Sequence, residues 1–77
     1  MTHKEFYTEI DNLLELDPGT IKGNEPLADL EGWDSLAVLS FMAMADTSLG
    51  VLVSAKELAN CRTVPDLVNL FPGKIVG

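Results

Sequence analysis

The chain has 77 residues, room for one small domain spanning residues 1–77 whose limited core must gain its stability from close helix packing. Twelve acids against five bases give a formal charge of -7, while 47% of residues are hydrophobic; this excludes a disordered acidic tail and argues against nucleic acid or an anionic membrane as partner. One cysteine and one histidine exclude an internal disulfide and the usual four-ligand zinc site.

The N-terminus, Met1 to Phe6, is polar and lacks the apolar core of a signal peptide. Thr2 followed by Glu5 has capping-box spacing, and Phe6, Ile10, Leu13 and Leu14 recur at helical intervals, so a first helix is predicted from Thr2 to Leu16. Asp17, Pro18 and Gly19 are expected to end it. The acids Glu5, Glu9, Asp11 and Glu15 read as its solvated face. From there to Trp33 the sequence predicts one long loop, packed down by Ile21, Leu27, Leu30 and Trp33.

Asp34 is an N-cap candidate for a central helix running without glycine or proline to Leu49. Val38, Phe41, Met42, Ala45 and Leu49 form its predicted core stripe. The longest mostly apolar run, Leu36 to Ala45, is about half the length a bilayer span requires, so no membrane insertion is expected. Val51 to Val53 has no partner strand and reads as an extended connector. Ser54 and Glu57 form a second capping box, opening a brief third helix to about Asn60. Thr63 caps a fourth helix with Pro65 in its first turn, with Leu67, Leu70 and Phe71 inward and Val68 at the edge; Pro72 and Gly73 close it.

Chemistry concentrates where the long loop meets the central helix, at Gly32, Trp33, Asp34, Ser35 and Leu36. A serine hydroxyl at a helix start is exposed, and the unpaired amides of the first turn favour an attached phosphodiester. Gly32 permits close approach of a partner. Plain helix capping would also explain Asp34 and Ser35, but not a long loop ending on them. The esterase signature Gly-Asp-Ser-Leu is matched at three of four positions, but Trp33 replaces its glycine and the single His3 has no triad partner downstream.

Gly-x-Asp-Ser-Leu at the head of the second helix resembles the signature of acyl carrier proteins, and the resemblance covers nearly the whole chain. It implies an all-α, acyl-carrier-like four-helix bundle with a long first loop and a short third helix, acting as a carrier and not an enzyme. It further implies that a phosphopantetheinyl transferase attaches 4′-phosphopantetheine from coenzyme A to Ser35, within a site of Gly32, Asp34 and Leu36. The arm's thiol would hold acyl or aminoacyl groups as thioesters. The implied partners are an acyl- or aminoacyl-loading ligase, an acyltransferase or a ketosynthase, and the expected state is a cytoplasmic monomer. Peptidyl carriers of nonribosomal synthetases, and an unmodified helical interaction module, are the alternatives.

One feature departs from carriers of fatty acid synthesis, whose second helix presents an acidic face. Here that face reads Leu36, Ala37, Leu39, Ser40, Ala43, Met44, Asp46 and Thr47, with a single acid. Two readings follow. Leu36, Leu39, Ser40 and Met44 form an apolar docking surface with Glu31, Glu25 and Asp29 steering, or loop residues Leu27 and Leu30 cover Leu39 and Met44. The acid-poor face points to a specialised lipid, polyketide-like or lipopolysaccharide-related pathway. Met42, Met44, Val53 and Leu58 are candidates for an acyl pocket, and Cys61 is read as a small buried hydrophobe.

Overall fold

In the computed structural model, which describes residues 1–77, helix α1 spans His3–Leu13, α2 Ser35–Met44, α3 Ala55–Ala59 and α4 Val64–Val68, with no β-strand among them. The all-α expectation holds. A single 3-10 turn at Leu27–Asp29 interrupts the long loop, and a π-helical turn, Ala45–Leu49, extends α2. No helix is long and apolar enough to cross a membrane.

The capping box at Thr2 forms as its spacing predicts: Glu5 N–H donates to the Thr2 hydroxyl at 3.0 Å, and Thr2 N–H to the Glu5 carboxylate at 2.8 Å. The helix stops three residues before the predicted end. Glu15 adopts the left-handed conformation at φ 59°, Leu16 N–H donates to the Asp11 carbonyl at 2.8 Å, and Glu15 N–H to that of Asn12 at 3.2 Å. This is the paired hydrogen-bond closure that glycine usually makes, built here on a glutamate, so the Asp-Pro-Gly sequence lies beyond the true end.

Asp11 overturns the reading of the α1 acids as a solvated face, since it is fully buried. Its carboxylate accepts from Gly19 N–H at 3.0 Å and Ile21 N–H at 3.1 Å, pinning the start of the long loop to α1 and seating Ile21 in the core. Further along, Glu25 closes a local cradle by accepting from the amides of Lys22, Gly23 and Asn24. Burial works to raise its pKa, but these backbone amides outweigh it and hold the carboxyl below its usual value. The loop then crosses to the α3–α4 corner, where Leu27 N–H donates to the Arg62 carbonyl at 2.8 Å and Val64 N–H to that of Glu25 at 2.9 Å.

Phe6 of α1, Phe41 of α2 and Phe71 beyond α4 meet with all three ring-centroid separations between 5.9 and 6.0 Å. Ile10, Ala45, Leu67 and Val64 complete the fully buried centre. Of the predicted α2 stripe, Phe41, Ala45 and Leu49 are buried, while Val38 and Met42 are half-buried. Residues four apart on an α-helix drift by about 40° around the axis, so Leu49 would drift off the line of Phe41 and Ala45. The wider π turn reverses that drift and brings Leu49 back inward. Gly50, left-handed at φ 67°, ends the helix.

The α3 capping box is present, and α4 carries a third one that the spacing Thr63 to Asp66 also encodes. Helix α4 is shorter than predicted: turns follow Val68, Phe71 stays inside and Leu70 is half-buried. Ile75 adds a buried residue at the C-terminus, where Val76 pairs in parallel with Thr2. Replacing Asp11 by alanine leaves the Gly19 and Ile21 amides without acceptors; a loss of about 1–3 kcal/mol in denaturant-induced unfolding is expected, with a smaller loss for Asp11→Asn.

Candidate functional site

Asp34 is extended at φ -133° and caps α2, its Oδ1 accepting from Ala37 N–H at 3.0 Å while its carbonyl takes Val38 N–H at 3.0 Å. Ser35 is therefore the first residue of the helix, exposed, beside first-turn amides that have no intrahelical acceptor. Trp33 anchors the approach to this turn. Its ring packs edge-on against Phe41 at 5.9 Å, and its backbone N–H donates to the Leu30 carbonyl at 3.3 Å. The position of Ser35 is thus tied through one aromatic contact to the three-ring core.

Gly32 has φ 87°, a conformation costly for any side-chain-bearing residue, and it sits against the end of α1. A Cβ there would lie 3.7 Å from the Leu14 carbonyl oxygen, an ordinary contact. The backbone shape, and not lack of space, selects glycine. Within the chain, its positive φ makes the turn into the site.

Two depressions flank Ser35. On the α3 side a cleft of about 350 Å³ is lined by Ser35, Val38, Leu39, Ala55 and Ala59, apolar but for the serine. Val38 and Ala59 also border a second cavity of about 320 Å³, which reaches Trp33, Leu58 and Cys61. On the α1 side a more polar recess of about 440 Å³ lies between the end of α1 and the start of α2.

The structure separates the site residues named from sequence. Gly32, Asp34, Ser35 and Leu36 come together at the loop–helix junction, and Glu31 is exposed just before it. Leu36 is 71% and Leu39 62% exposed, so the loop does not cover Leu39. Ser40 is exposed; Met44 is half-buried against the core, and Ala37 is buried, which removes it from the outer face. Met42 and Val53 pack into the core and do not line the cleft beside Ser35, whose alanines and Leu39 were not foreseen as lining. Leu58 borders only the second cavity.

Cys61 is half-buried at that second cavity instead of fully enclosed. Burial raises its pKa, and the charges of Asp66 and Glu57 raise it further, so the thiol is not an activated nucleophile. Its S–H donates to the Glu57 carbonyl at 3.4 Å. His3 packs beside Tyr7 at 6.1 Å in the first turn of α1.

The family model for a phosphopantetheine attachment site matches residues 5–71, from α1 through Phe71. The chain belongs to the acyl carrier protein family. The cofactor of this carrier family is covalent 4′-phosphopantetheine, attached by a phosphopantetheinyl transferase and presented to biosynthetic enzymes. No curated protein and no solved structure matches the carrier chain.

Removing the Asp34 cap by alanine should cost about 1 kcal/mol and fray the first turn of α2. Hydrogen exchange at the Ala37 amide should rise, while amides near Phe71 change less. That pattern checks that the cap acts locally on the turn carrying Ser35.

Proposed function

We propose that Ser35 carries the 4′-phosphopantetheine arm and that residues 1–77 act as one discrete carrier domain, without catalysis of their own. The observation that carries this is the place of Ser35: exposed at the first position of α2, beside free backbone amides and at the mouth of an apolar cleft. Amides at a helix start favour the phosphodiester, so attachment there costs little electrostatically. Asp34 holds the turn and Gly32 shapes it.

The cargo is an acyl group in preference to an aminoacyl one. Support comes from the cleft, in which Val38, Leu39, Ala55 and Ala59 offer no partner for an ammonium group. Leu36 and Leu39 stand exposed next to the arm, with Ser40 and Glu31 nearby, and enzymes that load or extend the cargo dock there mainly by apolar contact. Helix α2 lacks the row of acids that would steer a basic partner, which favours a dedicated pathway of specialised lipid, polyketide-like or lipopolysaccharide-related type over general fatty acid synthesis. A ligase, acyltransferase or ketosynthase is the expected class of partner.

Incubation with coenzyme A and a phosphopantetheinyl transferase should add one arm per chain, read as a mass gain that vanishes in Ser35→Ala. A native chain that gains no mass would return the protein to the class of unmodified interaction modules. For docking, Leu39→Asp should slow acyl loading of the holo protein by about tenfold or more, a larger effect than raising salt produces. A tolerant Leu39 with strong salt sensitivity would assign the contact to charge instead.

A further inference from the structure

Between Lys22 and Lys56 the sequence holds no lysine, arginine or histidine, so the segment that builds the junction at Ser35 has no cation of its own. It does have acids: Glu31 is exposed just before the junction, and Asp34 directly precedes the serine. A phosphodiester on Ser35 adds one more negative charge to that surface. The first-turn amides of α2 offset part of it, and the remainder calls for a cation from a neighbouring element.

Helix α3 faces the serine across the apolar cleft through Ala55 and Ala59. Successive helix residues lie about 100° apart, so Lys56 stands about 60° beyond Ala59, on the side away from buried Leu58. It is exposed and is the one base on α3. The residues three and four positions from it, Leu52, Val53, Ala59 and Asn60, carry no charge, and the adjacent Glu57 turns its carboxylate to Ser54 N–H at 3.1 Å. The other bases are placed elsewhere. Arg62 sits near Asp66 and borders the second cavity, and Lys74 sits by Met1 where the chain ends meet. Lys4 and Lys22 belong to the first turns of α1, where Tyr7 lies against Gly23, whereas Gly32 meets the last turn.

We infer that Lys56 is the counter-ion of the arm, its ammonium meeting the phosphodiester on Ser35 across the mouth of the cleft. The inference rests on Ser35 being the modified residue. A lysine lays its methylenes along an apolar edge, here that of Ala55 and Ala59, and carries only its charge to the phosphate. The phosphate is then held from two sides, by the amides of α2 and by α3, and the arm starts out aligned over the cleft. Attachment thereby ties the five-residue α3 to α2.

The test compares each protein with and without the arm, for the native chain, Lys56→Gln and Lys56→Arg, at low and high ionic strength. The native chain should melt about 1–5 °C higher with the arm than without it at low salt, and the gain should shrink as salt rises. Without the arm, Lys56→Gln should melt with the native chain because the side chain is exposed; with it, the variant should lose most of the gain, and Lys56→Arg should keep it. In the native protein bearing the arm, NMR should show an Overhauser contact between the ε-methylene of Lys56 and the phosphate-linked methylene of the arm. A gain unchanged in Lys56→Gln, a native chain without the gain, or a missing Overhauser contact would overturn the role of Lys56 and leave that of Ser35 standing. A native chain to which no transferase adds an arm would overturn both.

Discussion

Three phenylalanine rings set the geometry on which everything else in this chain depends. Phe6, Phe41 and Phe71 come from the first helix, the central helix and the closing turns, and each touches the other two near 6 Å. Two of the pairs are edge-on and Phe41–Phe71 is tilted; aromatic pairs of this kind add about 0.5–1.5 kcal/mol each beyond the area they bury. In a domain of 77 residues such a sum is a large part of net stability. It also has direction. Trp33 packs on the outer side of Phe41, so the segment leading into Ser35 is registered against the same cluster.

Much of the acidic excess serves the fold itself. Six of the twelve acids, Glu5, Asp11, Glu25, Asp34, Glu57 and Asp66, accept hydrogen bonds from backbone amides. Three of these are capping boxes, one caps α2, and two shape the long loop. A short chain with little regular structure leaves many amides without helical acceptors, and carboxylates satisfy them strongly. Half of the negative charge is thus spent on local structure. The acids left for partners are fewer than the net charge suggests, and of these Glu15 borders the recess beside Asp34.

The helix starts were legible in the sequence because their signals are local. Thr2 with Glu5, Ser54 with Glu57, and Asp34 each name a cap within three residues, and each forms. The ends were less legible. Glu15 terminates α1 in a conformation that its residue type does not advertise, and the π turn after Met44 answers a packing demand from Phe41 and Leu49. The burial of Asp11 is hidden from the sequence for the same reason: its partners Gly19 and Ile21 lie eight and ten positions away, beyond any periodic pattern. At the site, the junction of Gly32 to Leu36 could be read as a motif. The alanines of α3 that face Ser35 could not, since only the fold of the α2–α3 connector brings them there.

Helix α2 shows why such a site is built on an apolar helix. One side must supply Ala37, Phe41 and Ala45 to the core, and a second must supply Val38 and Leu39 to the cleft beside Ser35. Leu36 and Leu39 then remain exposed although the core has no further use for them. A monomer gains nothing in stability from two leucines left in water, and a polar residue at either position would cap or solvate equally well. Their place next to Ser35 is therefore best understood through what would approach the serine in the proposed role. If Ser35 bears the arm as proposed, a carrier must be released after each encounter, and an apolar contact of two leucines is small enough to form and break while still excluding water around the serine. Acids placed among them would extend the attraction outward and weaken the apolar contact, so the poverty of acid along α2 and the exposure of its leucines are one property of the same surface.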